Sequence, residues 1–350
     1  MKRTRKQLTN NISFVNRVLS LTSDLRFLSS GLLFTLCSLL LAPCFPADAQ
    51  QPAKMFRIAV LAYDQQRGNM EPFLEELHRF GYIPYKTAVI EVWNAEGRAA
   101  VLANLTDEIS RFKPDVVLAS ATPAALAAKK SLPATPIVFA LVADPLGAGL
   151  VTSFATPAGN LTGLTNMNVE LSGKRAELLL ETRPATKTIA VLTNSSDPIS
   201  APQLKEVSRV AQARRVKLDV LNAREPKDFN ELPPVLLKSR VEAMTLVSSQ
   251  LFAGHRTQLI SMAITTKTPT IYWTDAFVDS GGLMSYGVNV PELYRRAAVY
   301  VDKILKGAKP AELPVEQPTK FEFVINLRTA KRIALAIPAS VLSRADRVIK

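Results

Sequence analysis

Cysteine and histidine are nearly absent from this 350-residue chain, and their absence excludes several kinds of site. The two cysteines, Cys37 and Cys44, both lie in the first fifty residues, so the rest of the chain has no thiol for a disulfide, a nucleophile or a metal ligand. The two histidines, His78 and His255, lie alone on predicted helices with no metal-ligand pattern around them. We therefore expect no metal site, no catalytic residue and an ordinary hydrophobic core.

Nucleotide-binding and nucleophile motifs are also missing. The chain contains no H-E-x-x-H, no G-x-S-x-G and no P-loop, and the first predicted strand is followed by residues 64–69 (DQQRGN) instead of a G-x-G-x-x-G turn. These absences disfavour a dinucleotide-binding domain, and we expect no cofactor. An enzyme that uses carboxylates alone stays open as an alternative.

The net charge of +13 does not indicate a nucleic-acid partner. Basic residues are spread along predicted helices and alternate with acidic ones, as in residues 205–209 (KEVSR). No stretch combines lysine or arginine with aromatic residues, which is the pattern expected of a nucleic-acid surface. We interpret the charge as a solvated protein surface.

Residues 1–49 have the pattern of a secretory signal peptide. A basic segment ends at Arg26, an apolar run covers residues 27–41, and small residues occupy positions 47 and 49. The apolar run is shorter than the roughly twenty residues that a membrane-spanning helix needs. We expect cleavage near Ala49–Gln50 and a periplasmic protein of net charge +9; an uncleaved anchor stays open, and Pro43 makes lipidation of Cys44 a poor alternative.

From Phe56 onward, short β-branched runs alternate with helical patterns, and the series occurs twice. The first series has strands near 57–62, 88–93, 115–120, 136–142 and 161–165, and the second has strands near 188–193, 218–221, 243–248 and 268–273. Strands that alternate with helices form βαβ units in mostly parallel sheets, which are covered by helices on both faces. The chain is therefore predicted to be α/β, with two doubly wound parallel-sheet lobes.

Polar residues follow the predicted strands of both series, where open α/β sheets bind ligands. Residues 120–123 (SATP) suit an anionic group at a helix N-terminus, although simple N-capping explains them equally well. Asp144 or Asp275 could pair with a ligand ammonium group. The candidate ligand-binding residues at these strand ends are Tyr63, Asp64, Ser120, Thr122, Pro123, Asp144, Asn194, Ser195, Ser248 and Asp275.

Several segments resemble one protein family in order along the chain. They are residues 121–129 (ATPAALAAK), 144–151 (DPLGAGLV), 159–163 (GNLTG), 171–175 (LSGKR), 281–287 (GGLMSYG) and 301–321 (VDKILKGAKPAELPVEQPTKF). In these segments the chain is similar to the ABC transporter substrate-binding proteins that include tryptophan/tyrosine uptake-type receptors. Tyr286, within the 281–287 block, completes the predicted set of ligand-binding residues. The loop at Asp64 differs from that of many relatives.

The resemblance implies a type I periplasmic-binding-protein fold, in which two lobes joined by three crossovers close on a ligand. The crossovers are expected near 165–171, 273–287 and 310–319. The first lobe would then contain residues 55–168 plus 284–312, and the second lobe residues 169–283 plus 313–350.

The implied function is that of a monomeric, extracytoplasmic receptor for an amino acid or similar small organic acid. Its partners would be an ABC permease and the ATPase subunit of that permease. The chain would meet the membrane only through these partners or through an uncleaved signal. A ligand sensor for a membrane protein and a metal-free enzyme on the same fold stay open as alternatives.

Overall fold

The computed structural model describes residues 54–63 and 70–350, and Met55–Lys350 form one compact unit. The predicted signal peptide and Asp64 lie outside the described residues. Within the described part of the chain, no helix is both long enough and apolar enough to span a membrane.

The first sheet is entirely parallel, with strand order β2-β1-β3-β4-β5. Its central strand β3 (VVLAS) is buried along its whole length, as expected of a parallel strand covered on both faces. The strands of this sheet are β1 (Phe56–Ala62), β2 (Ala88–Asn94), β3 (Val116–Ser120), β4 (Ile137–Val142) and β5 (Leu161–Thr165), and the helices between them are α1 (Glu71–Arg79), α2 (Leu102–Phe112) and α3 (Thr122–Ser131).

The second sheet has seven strands in the order β12-β11-β10-β9-β8-β6-β7, and only the β10–β11 pair is antiparallel. Its strands are β6 (Thr188–Thr193), β7 (Lys217–Asn222), β8 (Ala243–Leu246), β9 (Thr270–Tyr272), β10 (Met284–Val288), β11 (Phe321–Asn326) and β12 (Arg347–Ile349). Its helices are α4 (Asn168–Thr182), α5 (Ser200–Ala213), α6 (Leu232–Lys238), α7 (Gln250–Gly254), α8 (Arg256–Thr265), α9 (Asp275–Asp279), α11 (Leu327–Arg332) and α12 (Ala339–Leu342).

Helix α10 (Val290–Leu305) packs on the first sheet, although it follows most strands of the second sheet in sequence. The Asn289 side chain caps the helix by accepting from the Glu292 amide at 2.8 Å. Its apolar face packs against α1, β3 and β4, and buries Tyr294, Ala298 and Val301 in the core of the first lobe. The first lobe is therefore discontinuous in sequence, and the predicted α/β architecture of two parallel-dominated sheets is confirmed.

The chain passes between the sheets three times, at 166–167, at 289 and at 317–320. Two of these passages come later than the predicted lobe boundaries. Strand β10, which the boundary at 283/284 assigned to the first lobe, pairs with β9 and β11 in the second sheet. Residues 313–316, assigned to the second lobe, run beside β5, where the Glu316 amide donates to the Gly163 carbonyl at 2.9 Å.

All three crossover segments join the carboxyl edges of the two sheets. The first follows the end of β5, the second follows the end of β10, and the third enters β11 beside Val288 at the end of β10. Helices that follow parallel strands begin at the same carboxyl edge. All three crossovers therefore connect the two carboxyl edges, and the space between these edges is where a ligand is expected.

Candidate ligand-binding cleft

Ser120 ends β3 at the first-lobe edge, but its hydroxyl points into the protein. Ser120 Oγ lies 2.6 Å from the hydroxyl of Tyr294, and both side chains are buried. The Ser120 carbonyl accepts from the amide of Tyr63, which is half-buried at the end of β1. Ser120 and Tyr63 therefore lie at the predicted edge, with the Ser120 hydroxyl occupied by helix α10.

Ala121, the next residue, has an unusual backbone that shapes the start of α3. Its φ of 72° and ψ of 159° lie in a region that residues with a Cβ rarely occupy, at a cost of order 1–3 kcal/mol. No side chain caps α3, and half-buried Thr122 and Pro123 form its first turn. The first-turn amides and the Thr122 hydroxyl therefore suit a carboxylate of a ligand.

Asp144 lies half-buried after β4, where it stabilises its own turn. Its Oδ1 accepts from the Gly147 amide at 2.8 Å, and its carboxylate fills the space that a Cβ at position 147 would need. One carboxylate oxygen is thus used locally, as in an Asx turn.

The second-lobe edge brings three polar side chains together. Asn194 Nδ2 donates to Ser249 Oγ at 3.2 Å, and the Ser249 side chain is hydrogen-bonded to Asp197. Asp197 Oδ1 also accepts from the Ile199 amide at 3.2 Å. Burial raises the pKa of the Asp197 carboxyl despite these hydrogen bonds. The surroundings of this half-buried carboxyl therefore disfavour its ionised form. A ligand ammonium group would favour the ionised form, so Asp197 could pair with such a group.

Asp197 and Ser249 were not among the predicted ligand-binding residues. The sequence carries a signal for Asp197, because Asp197–Pro198 follows β6 in the same way that Asp144–Pro145 follows β4. Of the predicted neighbours, Asn194 joins the cluster directly. Ser195 is exposed, and its amide donates to Asn222 Oδ1 at 2.9 Å.

Ser248 ends the segment after β8 and is buried beside the cluster. Its amide and its hydroxyl donate to Gln203 Oε1 at 2.7 and 3.0 Å. Gln203 is fully buried on α5 and had no recognisable signal in the sequence.

Asp275 lies half-buried at the start of α9, where it already has a cationic partner. Arg347 contacts Asp275 Oδ2 at 3.3 Å and Asp279 Oδ1 at 2.6 Å. The structure therefore gives Asp275 an intramolecular ion pair, whereas the hydrogen-bond donors to Asp197 are neutral, namely the Ile199 amide and the Ser249 side chain.

Aromatic side chains lie at the same end of the second sheet. Trp273 is half-buried directly after β9, and its ring packs edge-on against Phe277 at a centroid distance of 4.8 Å. The Tyr286 ring on β10 lies 5.9 Å from that of Phe321, and burial raises its hydroxyl pKa. These rings give the edge an apolar component next to its polar cluster.

The two edges differ in the polar groups that they carry. Amides at the start of α3 suit a carboxylate, and Asp197 with its neighbours suits an ammonium group. Across the described residues, no group of three or more histidine, cysteine, aspartate or glutamate side chains could hold a metal ion.

The sequence of this chain matches those of known proteins. The sequence profile of the "ABC transporter substrate binding protein" family matches residues 58–349. A tyrosine-binding protein of Clostridioides difficile (strain R20291) is 24% identical over 262 residues, which cover 75% of each chain.

Two solved structures are similar over most of the fold. The ABC domain in complex with L-Trp from Streptococcus pneumonia has a TM-score of 0.78 at 27% identity, covering 85% of this chain and all of that one. A conserved domain protein from Vibrio cholerae has a TM-score of 0.79 at 26% identity, covering 84% of this chain and all of that one. Because the family match covers nearly the whole described chain, this protein belongs to the ABC transporter substrate binding protein family.

Proposed function

We propose that this chain is the extracytoplasmic receptor of an ABC importer and binds an amino acid with an aromatic side chain. The observation that carries the proposal is a complementary pair at the two carboxyl edges: the uncapped N-terminus of α3 on one edge and Asp197 on the other. A carboxylate and an ammonium group on one small molecule would satisfy both. Trp273 and Tyr286 supply apolar surface for its side chain.

The relatives support the aromatic choice, since one is a tyrosine-binding protein and another is a complex with L-Trp. In the mechanism that we propose, one lobe binds the ligand first and the other closes over it by rotation at the three crossovers. The closed form is then presented to a permease, whose ATPase subunit supplies the energy for transport.

A thermal-shift series on the full-length protein tests the ligand. L-tyrosine and L-tryptophan are compared with tyramine, which lacks the carboxylate, and with 3-(4-hydroxyphenyl)propionate, which lacks the ammonium group. A ligand at a hundredfold excess over its Kd stabilises the folded state by about 2.7 kcal/mol, which raises the Tm of a protein of this length by roughly 4 °C.

We expect this shift for the amino acids and a much smaller one for both analogues. Equal shifts for tyramine and tyrosine would contradict a carboxylate site at α3. No shift with any amino acid would contradict the proposed ligand class. Uptake of the same amino acid by cells that contain and lack the receptor then tests the transport role.

A further inference from the structure

Arg175 is a fully buried cation that the ligand cleft does not use. It lies in the second turn of α4 and is 0% exposed, and it forms no ion pair with any residue in the described part of the chain. Burial lowers the pKa of its guanidinium to about 9, so the group remains protonated at neutral pH. A buried charge without a counter-ion is costly and needs hydrogen-bond acceptors around it.

The acceptors of Arg175 come from the residues next to two crossovers. Nη2 donates to the Asn168 carbonyl at 2.9 Å, and Nη1 donates to Asn168 Oδ1 at 3.3 Å and to the Tyr286 carbonyl at 3.4 Å. Asn168 directly follows the first crossover, and Tyr286 lies three residues before the second one at Asn289. The guanidinium therefore bridges the second-lobe ends of two of the three connections.

The same guanidinium is connected to the cleft wall by side chains. Nη2 donates to Ser172 Oγ at 2.7 Å. The Ser172 hydroxyl in turn lies 2.7 Å from the Asn168 carbonyl oxygen and 3.2 Å from Gln203 Oε1, and it shares its one proton between these two acceptors. Gln203 Oε1 in turn accepts from the amide and hydroxyl of Ser248, the residue before Ser249. A buried polar network thus runs from the crossovers to Ser248, whose sequence neighbour Ser249 is hydrogen-bonded to Asp197.

One donor of this network is unused. Arg175 Nε has no hydrogen-bond partner within the described structure, although it is buried. Most buried donors in native structures have a partner, so an unsatisfied donor on a buried cation calls for an explanation.

We propose that Arg175 is a positioning residue of the hinge, which makes the first two crossovers and the second-lobe wall of the cleft move as one unit when the lobes close. The proposal rests on the closure mechanism of the proposed function. Ligand contacts at Asp197 and Ser249 would be transmitted through Gln203 and Ser172 to the guanidinium, and from there to the crossovers.

The experiment measures the distance between the lobes in the full-length protein. Spin labels are placed at Lys130→Cys on α3 and Lys238→Cys on α6, both exposed, with Cys37 and Cys44 changed to serine. Distance distributions are recorded by double electron–electron resonance without ligand and with L-tyrosine or L-tryptophan. Arg175→Met removes the donors, Arg175→Lys keeps the charge, and Lys174→Met is the control, an exposed cation one residue away on the same helix.

We expect Arg175→Met to broaden the ligand-free distribution and to weaken amino-acid binding by about two- to thirtyfold. Arg175→Lys should restore part of both properties, and Lys174→Met should match the wild type. A purely structural role would lower the Tm of Arg175→Met and leave its distance distribution and affinity unchanged, and that result would overturn the proposal.

Ser172→Ala provides a second test if Arg175→Met does not fold. It cuts the connection between Arg175 and Gln203 and removes only one hydroxyl. A broader ligand-free distribution supports the proposal, and an unchanged one overturns it. If the wild type binds neither amino acid, the proposed ligand class fails, while the ligand-free distributions still decide the role of Arg175.

Discussion

At the scale of single residues, we expect ionised Asp197 to lower the stability of the fold and to strengthen ligand binding. Because burial raises its pKa, the folded state binds a proton more tightly at this carboxyl than the unfolded state does. Ionised Asp197 therefore destabilises the fold, and this cost develops as the pH rises from the ordinary carboxyl value through the raised one. A ligand ammonium group would offset the cost.

Asp197→Asn is accordingly expected to raise the Tm at about pH 7 and to change it little at about pH 3, where both states are protonated. The same change should weaken amino-acid binding by roughly ten- to a hundredfold, because it removes a charged hydrogen-bond partner worth about 1.5–3 kcal/mol. Calorimetric titration and thermal unfolding at the two pH values check both effects.

Asp107→Asn serves as the control, since Asp107 is exposed on α2 of the first lobe. It should alter neither property. A lower Tm for Asp197→Asn than for the wild type at neutral pH would show that the carboxylate is a structural partner and not a ligand site.

The sequence predicted that several candidate residues follow the ends of strands, but it could not assign their hydrogen bonds. Asn194 and Ser248 lie where strand-end positions predicted them. The Ser120 hydroxyl, in contrast, is occupied by Tyr294, which is 174 residues away. A contact between such distant positions depends on how α10 packs, and no local pattern encodes it.

At the scale of elements, β10 depends on a close approach that only glycine permits. A Cβ at Gly287 would overlap the carbonyl oxygen of Trp273, which lies in the segment after β9. Gly287→Ala must therefore displace the end of β10 or the Trp273 segment. We expect a loss of about 2–3 kcal/mol in the free energy of unfolding, as for an overpacked core position.

Urea unfolding of the variant measures this loss, with Gly254→Ala on α7 as the matched control. A Cβ at Gly254 meets no atom within 4 Å, so the control should be neutral or slightly more stable. Equal stability of the two variants would mean that the β10 edge adjusts freely, and Trp273 would then be a mobile part of the cleft.

Whether a segment forms a helix or a strand was predictable, because the spacing of apolar residues and the length of a segment are local properties. For example, β6 covers residues 188–193, as predicted. Membership in a sheet was not predictable in the same way. The composition of β10 would allow it to lie in the sheet of either lobe. Its place is decided by pairing with β9 and β11, which come from well-separated parts of the sequence. The predicted boundary at 283/284 therefore came before the strand instead of after it.

At the scale of the whole molecule, the first lobe cannot be obtained as one continuous segment. Its core includes Tyr294, Ala297 and Val301 of α10, which come after most of the second lobe in sequence. A fragment of residues 55–165 would keep α1 but would lose the cover that α10 gives to β3 and β4 on the same face of the sheet. We expect this fragment to show no cooperative unfolding transition in urea.

Joining residues 290–316 to the same fragment through a flexible linker should restore cooperativity, because it returns both α10 and the Arg296–Glu316 pair, whose atoms Nε and Oε1 are 2.8 Å apart. Circular dichroism over a urea series compares the two proteins. A cooperative transition of the 55–165 fragment alone would show that α10 is an accessory to the first lobe and not part of its core.

The sequence by itself determined the α/β class and the two series of strands, because both follow from short-range periodicity. Its resemblance to a family added the crossovers. Only the tertiary structure decided which carboxylate faces neutral donors, Asp197 and not Asp275, because Arg347 reaches Asp275 from the far end of the chain. It also decided that Arg175 lies between two crossovers, since a buried charge acquires its partners only when distant segments pack around it.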